Sequence, residues 1–212
     1  MRIPLARVAS LAALFGLLAA CSVTGNARIG RAAGASADAR VAGASGPGAD
    51  LMALLVPYPA GARPWTQTRT GVMNLDEFLD AFYTSKNRAS TRDLLVSRGF
   101  TTAVRHGWFD ADGTQKDIWL VRFSSAEGAG SEYLSVTGNW RDAAKPTTTF
   151  ALPAIHGLGE LVPAVDDLGH TSAKAAASLG DVFLYARVYA RTSPERAEVS
   201  GLAEKQYDAL PN

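Results

Sequence analysis

Arg105-His106-Gly107-Trp108 sets a cation, an imidazole and an indole side by side near a turn, and these are the residue types that line a small-molecule pocket. The other two histidines, His156 and His170, form no His-x-x-x-His or His-Glu-x-x-His pair with it, so the spacing supplies no zinc motif. Asp110-Ala111-Asp112-Gly113-Thr114 begins as a calcium loop does. The glutamate that would complete an EF-hand falls at Trp119, and the flanks are rich in β-formers, so the segment reads as a hairpin turn. Asp76-Glu77 and Asp166-Asp167 are adjacent carboxylates, but adjacency in sequence does not place two acids across a substrate. There is no Gly-x-Ser-x-Gly elbow, and Gly157-Leu158-Gly159 is only a fragment of a phosphate-binding pattern. Trp119 alternates with Val121 and Phe123 and is expected in the core. Trp140, in Gly138-Asn139-Trp140-Arg141-Asp142 after the helix, is either a contact anchor on an exposed loop or, the reading the residues favour, a staple that closes that loop onto the core. The candidate binding residues are therefore Arg105, His106, Trp108 and Trp140. No catalytic residue, metal ligand or cofactor is indicated.

A different chemistry belongs to Cys21, the single cysteine of 212 residues. Arg2 and Arg7 precede an apolar run from Val8 to Leu18, and Leu18-Ala19-Ala20-Cys21 closes it as a lipobox: small residues before the cut, then a thiol able to carry diacylglyceryl. The run is broken by Ser10 and is too short for a spanning helix. Residues 1–20 read as a lipoprotein signal peptide and Cys21 as the acylated, palmitate-bearing N-terminus. Cleavage removes two arginines and takes the formal charge from +1 to −1. A near-neutral chain has no broad electrostatic case for nucleic acid, so lipid would hold it at the extracytoplasmic face of the cell membrane. With Cys21 modified no thiol remains for a disulfide, and stability must come from a core, which a composition 47% hydrophobic can supply.

Cys21 and the Gly/Ala-rich residues up to Asp50 read as a flexible tether reaching about 30 Å r.m.s., which leaves one globular domain over residues 51–212. Pro57, Pro59 and Pro64 forbid a continuous helix after Leu51, so an extended lead-in is expected. Asn74 with Glu77 caps a helix carrying Leu75, Phe78, Leu79 and Phe82, and Ser90 to Gly99 spells a second. Thr101–Phe109 and Lys116–Phe123 predict a hairpin, followed by a helix from a Ser124/Glu127 capping box to about Val136. Later come a strand near Glu160–Val165, an alanine-rich connector, a strand over Asp181–Ala190, and a helix over Pro194–Leu210 capped by Thr192 or Ser193. In the last strand Phe183, Tyr185, Arg187 and Tyr189 share a face that is either covered by a helix or offers an aromatic, hydrogen-bonding surface. The fold class is α+β: an antiparallel sheet with packed helices, built as two β-β-α units in one sandwich.

The lipobox, the Gly/Ala tether, the Arg98-Gly99-Phe100 turn, the hairpin at Asp112-Gly113 and the helix after Arg122-Phe123 together resemble secreted lipoproteins of actinobacteria. The β-β-α arrangement is similar to the PsbP-like sandwich and to the extracellular sensor domains of mycobacterial serine/threonine kinases. Those sensor domains rely on disulfides, and this chain has none to offer. The resemblance implies a non-catalytic binding or sensing module whose partner is a small molecule, an envelope component or a membrane protein. An envelope hydrolase using a histidine or carboxylate, and a structural accessory lipoprotein, are the alternatives the residues leave open.

Overall fold

The computed structural model describes residues 46–66, 69–83, 86, 88–141, 147–166, 168–192 and 194–211. Cys21, the signal peptide and nearly all of the tether lie outside them. The first element is a helix, α1 (Pro47–Ala53), with proline in its first turn, where a missing N–H costs nothing. Leu51 of α1 is fully buried, so the chain joins the core as a helix that ends at Ala53, ahead of Pro57 and Pro59.

Eight strands form one antiparallel sheet among the described residues. Two short strands, β1 (Arg63–Pro64) and β2 (Gly71–Met73), pair with the outer side of β3 (Phe100–Phe109). The sheet then continues through β4 (Gln115–Phe123), β8 (Val182–Ala190), β7 (Thr171–Leu179), β6 (Gly157–Val162) and β5 (Thr148–Leu152). The β3–β4 hairpin forms as its sequence predicts. Gly113 takes the left-handed backbone that the turn needs, at φ 87°, and Asp112 accepts from the Thr114 N–H.

Helices cover both faces. On one, α1 and α5 (Arg196–Asp208) bury Leu51, Val199 and Ala203 against Val104, Trp108, Leu120 and Leu184. On the other, α2 (Leu75–Phe82), α3 (Arg88–Ser97) and α4 (Ala126–Arg141) bury Phe78, Leu95 and Val136 against Trp119, Val121, Phe183 and Tyr185. Strand alternation produces the two cores, since neighbours along β4 and β8 point to opposite layers. The first β-β-α unit is present as β3-β4-α4; in the second, β7 and not the expected strand near Glu160 precedes and pairs with β8 before α5, and the two helices lie on opposite faces.

Several local expectations change. The alanine-rich connector is β7 itself: α4 and α5 both lie against it, and its alanines let two helices approach one strand. Ser125, not Ser124, caps α4 by accepting from the Gly128 N–H, and Glu195 precedes α5 with no side-chain cap. Ser90 lies inside α3, two residues after its start.

Candidate functional site

One cross-strand row carries half of the charged side chains within the sheet. In register, Gly107 of β3 faces Asp117 of β4, Asp117 faces Arg187 of β8, Arg187 faces Lys174 of β7, and Lys174 faces Glu160 of β6. Asp117 is the anchor. Arg187 donates to it through Nε at 3.1 Å and Nη2 at 2.9 Å. Arg105, two residues along β3 from Gly107 on the same face, donates through Nε at 2.9 Å and through Nη2, and the Trp119 indole adds a bond at 3.0 Å. At the other end Lys174 Nζ meets Glu160 at 2.8 Å.

Burial is divided by sign. The side chains of Asp117 and Glu160 are 0% and 2% exposed, whereas those of Arg187 and Lys174 are 21% and 24% exposed. The acids are enclosed and the cations are partly exposed. Burial by itself would raise the Asp117 carboxyl, but the charges of Arg187 and Arg105 and their hydrogen bonds outweigh it and hold the group below the usual aspartate value.

Aromatic rings fix the two guanidiniums. Arg105 lies between the indoles of Trp65 and Trp119, at 4.5 and 4.4 Å from their centroids, and Arg187 lies 4.7 Å from the Tyr189 ring. Trp65 reaches Arg105 only because Gly107 has no side chain. A Cβ there would fall 2.1 Å from the indole. Beside the row, on the same face, stand Gln115, Tyr189 and Ser172, which pair across β4, β8 and β7 and are all half-buried.

The structure separates the residues that the sequence grouped. Arg105 joins the row, whereas His106 and Trp108 alternate to the two sides of Gly107 on the opposite face. His106 stacks on Tyr58 with ring centroids 4.5 Å apart and bonds to the Val56 backbone, and burial lowers its pKa. Its Nδ1 is buried with no partner among the described residues. Trp108 is buried and donates to Asp110 at 3.0 Å, at the base of a cleft of about 210 Å³ shared with Pro57, Pro59, Lys116 and Leu202.

Trp140 takes the core-packed alternative, from a helix and not from a loop. Helix α4 runs five residues beyond Val136, so the indole sits in its last turn, 6% exposed and 6.1 Å from the Tyr185 ring, in the core and not on a loop. The candidate carboxylate Asp166 is committed to its own turn, accepting from the Leu168 and His170 N–H groups, and Asp167 is outside the described residues. Gly157-Leu158-Gly159 lies within β6, where the Phe150 ring occupies the space over Gly159. Among the described residues no group of three or more His, Cys, Asp or Glu side chains is placed to hold a metal ion, and no helix is long and apolar enough to cross a membrane.

Sequence reasoning put Arg187 and Tyr189 on one face but missed Asp117, Glu160, Lys174 and Trp65 as their neighbours. The readable signals were a glycine inside a strong strand, which marks a close approach, and a lone lysine within an alanine run. No protein-family model matches the chain, and no curated protein matches it. Among solved structures the chain is similar to the extracellular domain of PknH from Mycobacterium tuberculosis, with a TM-score of 0.49 at 13% identity, covering 74% of this chain and 94% of that one.

Proposed function

We propose that this chain is a lipid-anchored lipoprotein at the extracytoplasmic face of the cell membrane, and that its folded domain is a non-catalytic binding or sensing module. The observation that carries the domain's role is the setting of Asp117. This carboxylate is fully buried, accepts from two guanidiniums and an indole, and is held charged. A general acid or base works best with a pKa near the operating pH. Asp117 is moved the other way, and the effect of its contacts is to fix two cations and the rings around them. Fixed charges and half-buried donors on a rigid sheet suit recognition, because the ligand need not order them. The anchoring part of the proposal rests on Leu18-Ala19-Ala20-Cys21.

Labelled palmitate and capture from mildly crosslinked membranes test both parts. Native chain is expected to incorporate label and Cys21→Ala to incorporate none. The native chain is also expected to enrich a small molecule or an envelope or membrane protein, identified by mass spectrometry, and Lys174→Met is expected to lose it. Equal labelling of the two chains would overturn the anchor. A capture profile identical in native and Lys174→Met chains would overturn the binding role of the row.

A further inference from the structure

We propose that the space between Lys174 and Arg187 is an oxyanion site that takes a phosphate group. The proposal rests on the binding-module reading and names the ligand chemistry of the same face. Across the sheet the charges run Asp117, Arg187, Lys174, Glu160: acid, base, base, acid. The two cations are direct cross-strand partners, an arrangement that is unfavourable when nothing lies between them. Each is bound to the carboxylate of its flanking strand on the side away from the other, so the two acids lie outside the pair and not between the cations. The carboxylates are also the buried members of each pair, so the field reaching solvent is positive.

The donors are counted in the same place. Asp117 uses Nε and one proton of Nη2 on Arg187, and Glu160 uses one of the three ammonium protons of Lys174, so Nη1 and two ammonium protons are not taken by these acids. The next cross-strand pair on this face, Ser172 and Tyr189, adds two half-buried hydroxyls. The four side chains mark a patch roughly 5 Å across the strands and 7 Å along them. A carboxylate would be satisfied by one guanidinium fork, whereas two cations with two hydroxyls on the next pair of the same face suit the three or four oxygens of a phosphate.

The test is calorimetric titration of inorganic phosphate into the full chain purified in detergent, for native, Lys174→Met and Glu160→Gln proteins. Lys174→Met is expected to weaken binding on the order of tenfold, the effect of removing one charge-assisted bond. Glu160→Gln is expected to tighten it several-fold by freeing the ammonium, a gain that loss of folding cannot imitate. Flotation of the Cys21→Ala chain with phosphatidylcholine vesicles, with or without phosphatidylglycerol, separates the sources. Capture by phosphatidylglycerol that inorganic phosphate reverses assigns a lipid headgroup, and phosphate binding without capture assigns a soluble phosphate compound. Phosphate affinity unchanged in both variants, or no binding to the native chain, would overturn the proposal. If membranes still yield a ligand that Lys174→Met loses and phosphate does not displace, the module reading stands and only the oxyanion assignment falls.

Discussion

Asp117 and Arg187 face each other across β4 and β8, seventy residues apart in the chain, and two guanidinium nitrogens of Arg187 grip the carboxylate that Arg105 holds from its other side. Removing the acid leaves two guanidiniums close together without their counter-ion. Breaking a buried pair in this way costs about 3–5 kcal/mol, whereas replacing a whole buried ionic group by apolar residues of similar volume is often neutral. Asp117→Asn is therefore expected to lower the urea unfolding free energy by about that amount. The triple variant Arg105→Met, Asp117→Leu, Arg187→Met is expected to recover most of it. Urea unfolding of the two proteins checks the comparison, and an Asp117→Asn loss under about 1 kcal/mol would mean that the pair behaves as an exposed one.

Gly107 is the floor on which Trp65 lies, and the Trp65 N–H donates to the Gly107 carbonyl at 2.7 Å. Gly107→Ala must displace the indole from Arg105. Overpacking of this kind costs about 1–3 kcal/mol. The expected signature is a red shift and greater quencher access in tryptophan emission, with the far-ultraviolet circular dichroism preserved. An unchanged emission spectrum would show that the ring tolerates the methyl group.

What the sequence disclosed depended on range. The β3–β4 hairpin was legible because alternation on both strands and the turn residues Asp110 to Gly113 all act locally. β7 was not, because alanine has little strand preference and its role depends on helices from distant parts of the chain. The end of α4 was missed for a related reason: Gly130 and Gly138 weaken its helical pattern, and only packing against Tyr185 shows why Trp140 belongs to it. The trio Arg105, His106 and Trp108 failed as a unit because a strand sends neighbours to opposite faces. The row from Asp117 to Glu160 required three strand registers across four strands, and no local pattern in the chain specifies which strands pair.

Trp140 now predicts a loss of stability. Its ring is packed beside Tyr185 under the last turn of α4, together with Val136. Truncating a buried aromatic side chain to alanine costs about 3–5 kcal/mol, so Trp140→Ala is expected to lower the melting temperature by several degrees or more while phosphate affinity at 20 °C below that midpoint stays at the native level. Unchanged stability with lost ligand capture would return Trp140 to the role of a contact anchor.

The pH dependence of stability should show two limbs with different owners. Burial lowers the pKa of His106, so between its ordinary value of about 6.5 and its lower folded value the unfolded chain binds more protons than the folded one. The contribution of neutral His106 is therefore complete above about pH 7 and falls as pH drops through that window. Asp117 is also lowered, by the two arginines against the opposing effect of burial. Its contribution is present above the ordinary aspartate value of about 4 and is lost as pH falls through its folded value. His106→Gln keeps a side chain able to reach the Val56 backbone but cannot titrate, so it is expected to flatten the limb that sets in below about pH 7 and leave the acid limb in place. Asp117→Asn should do the reverse, with a lower plateau throughout. Urea midpoints measured across this range decide it: persistence of the upper limb in His106→Gln would assign that limb to a group other than the imidazole stacked on Tyr58.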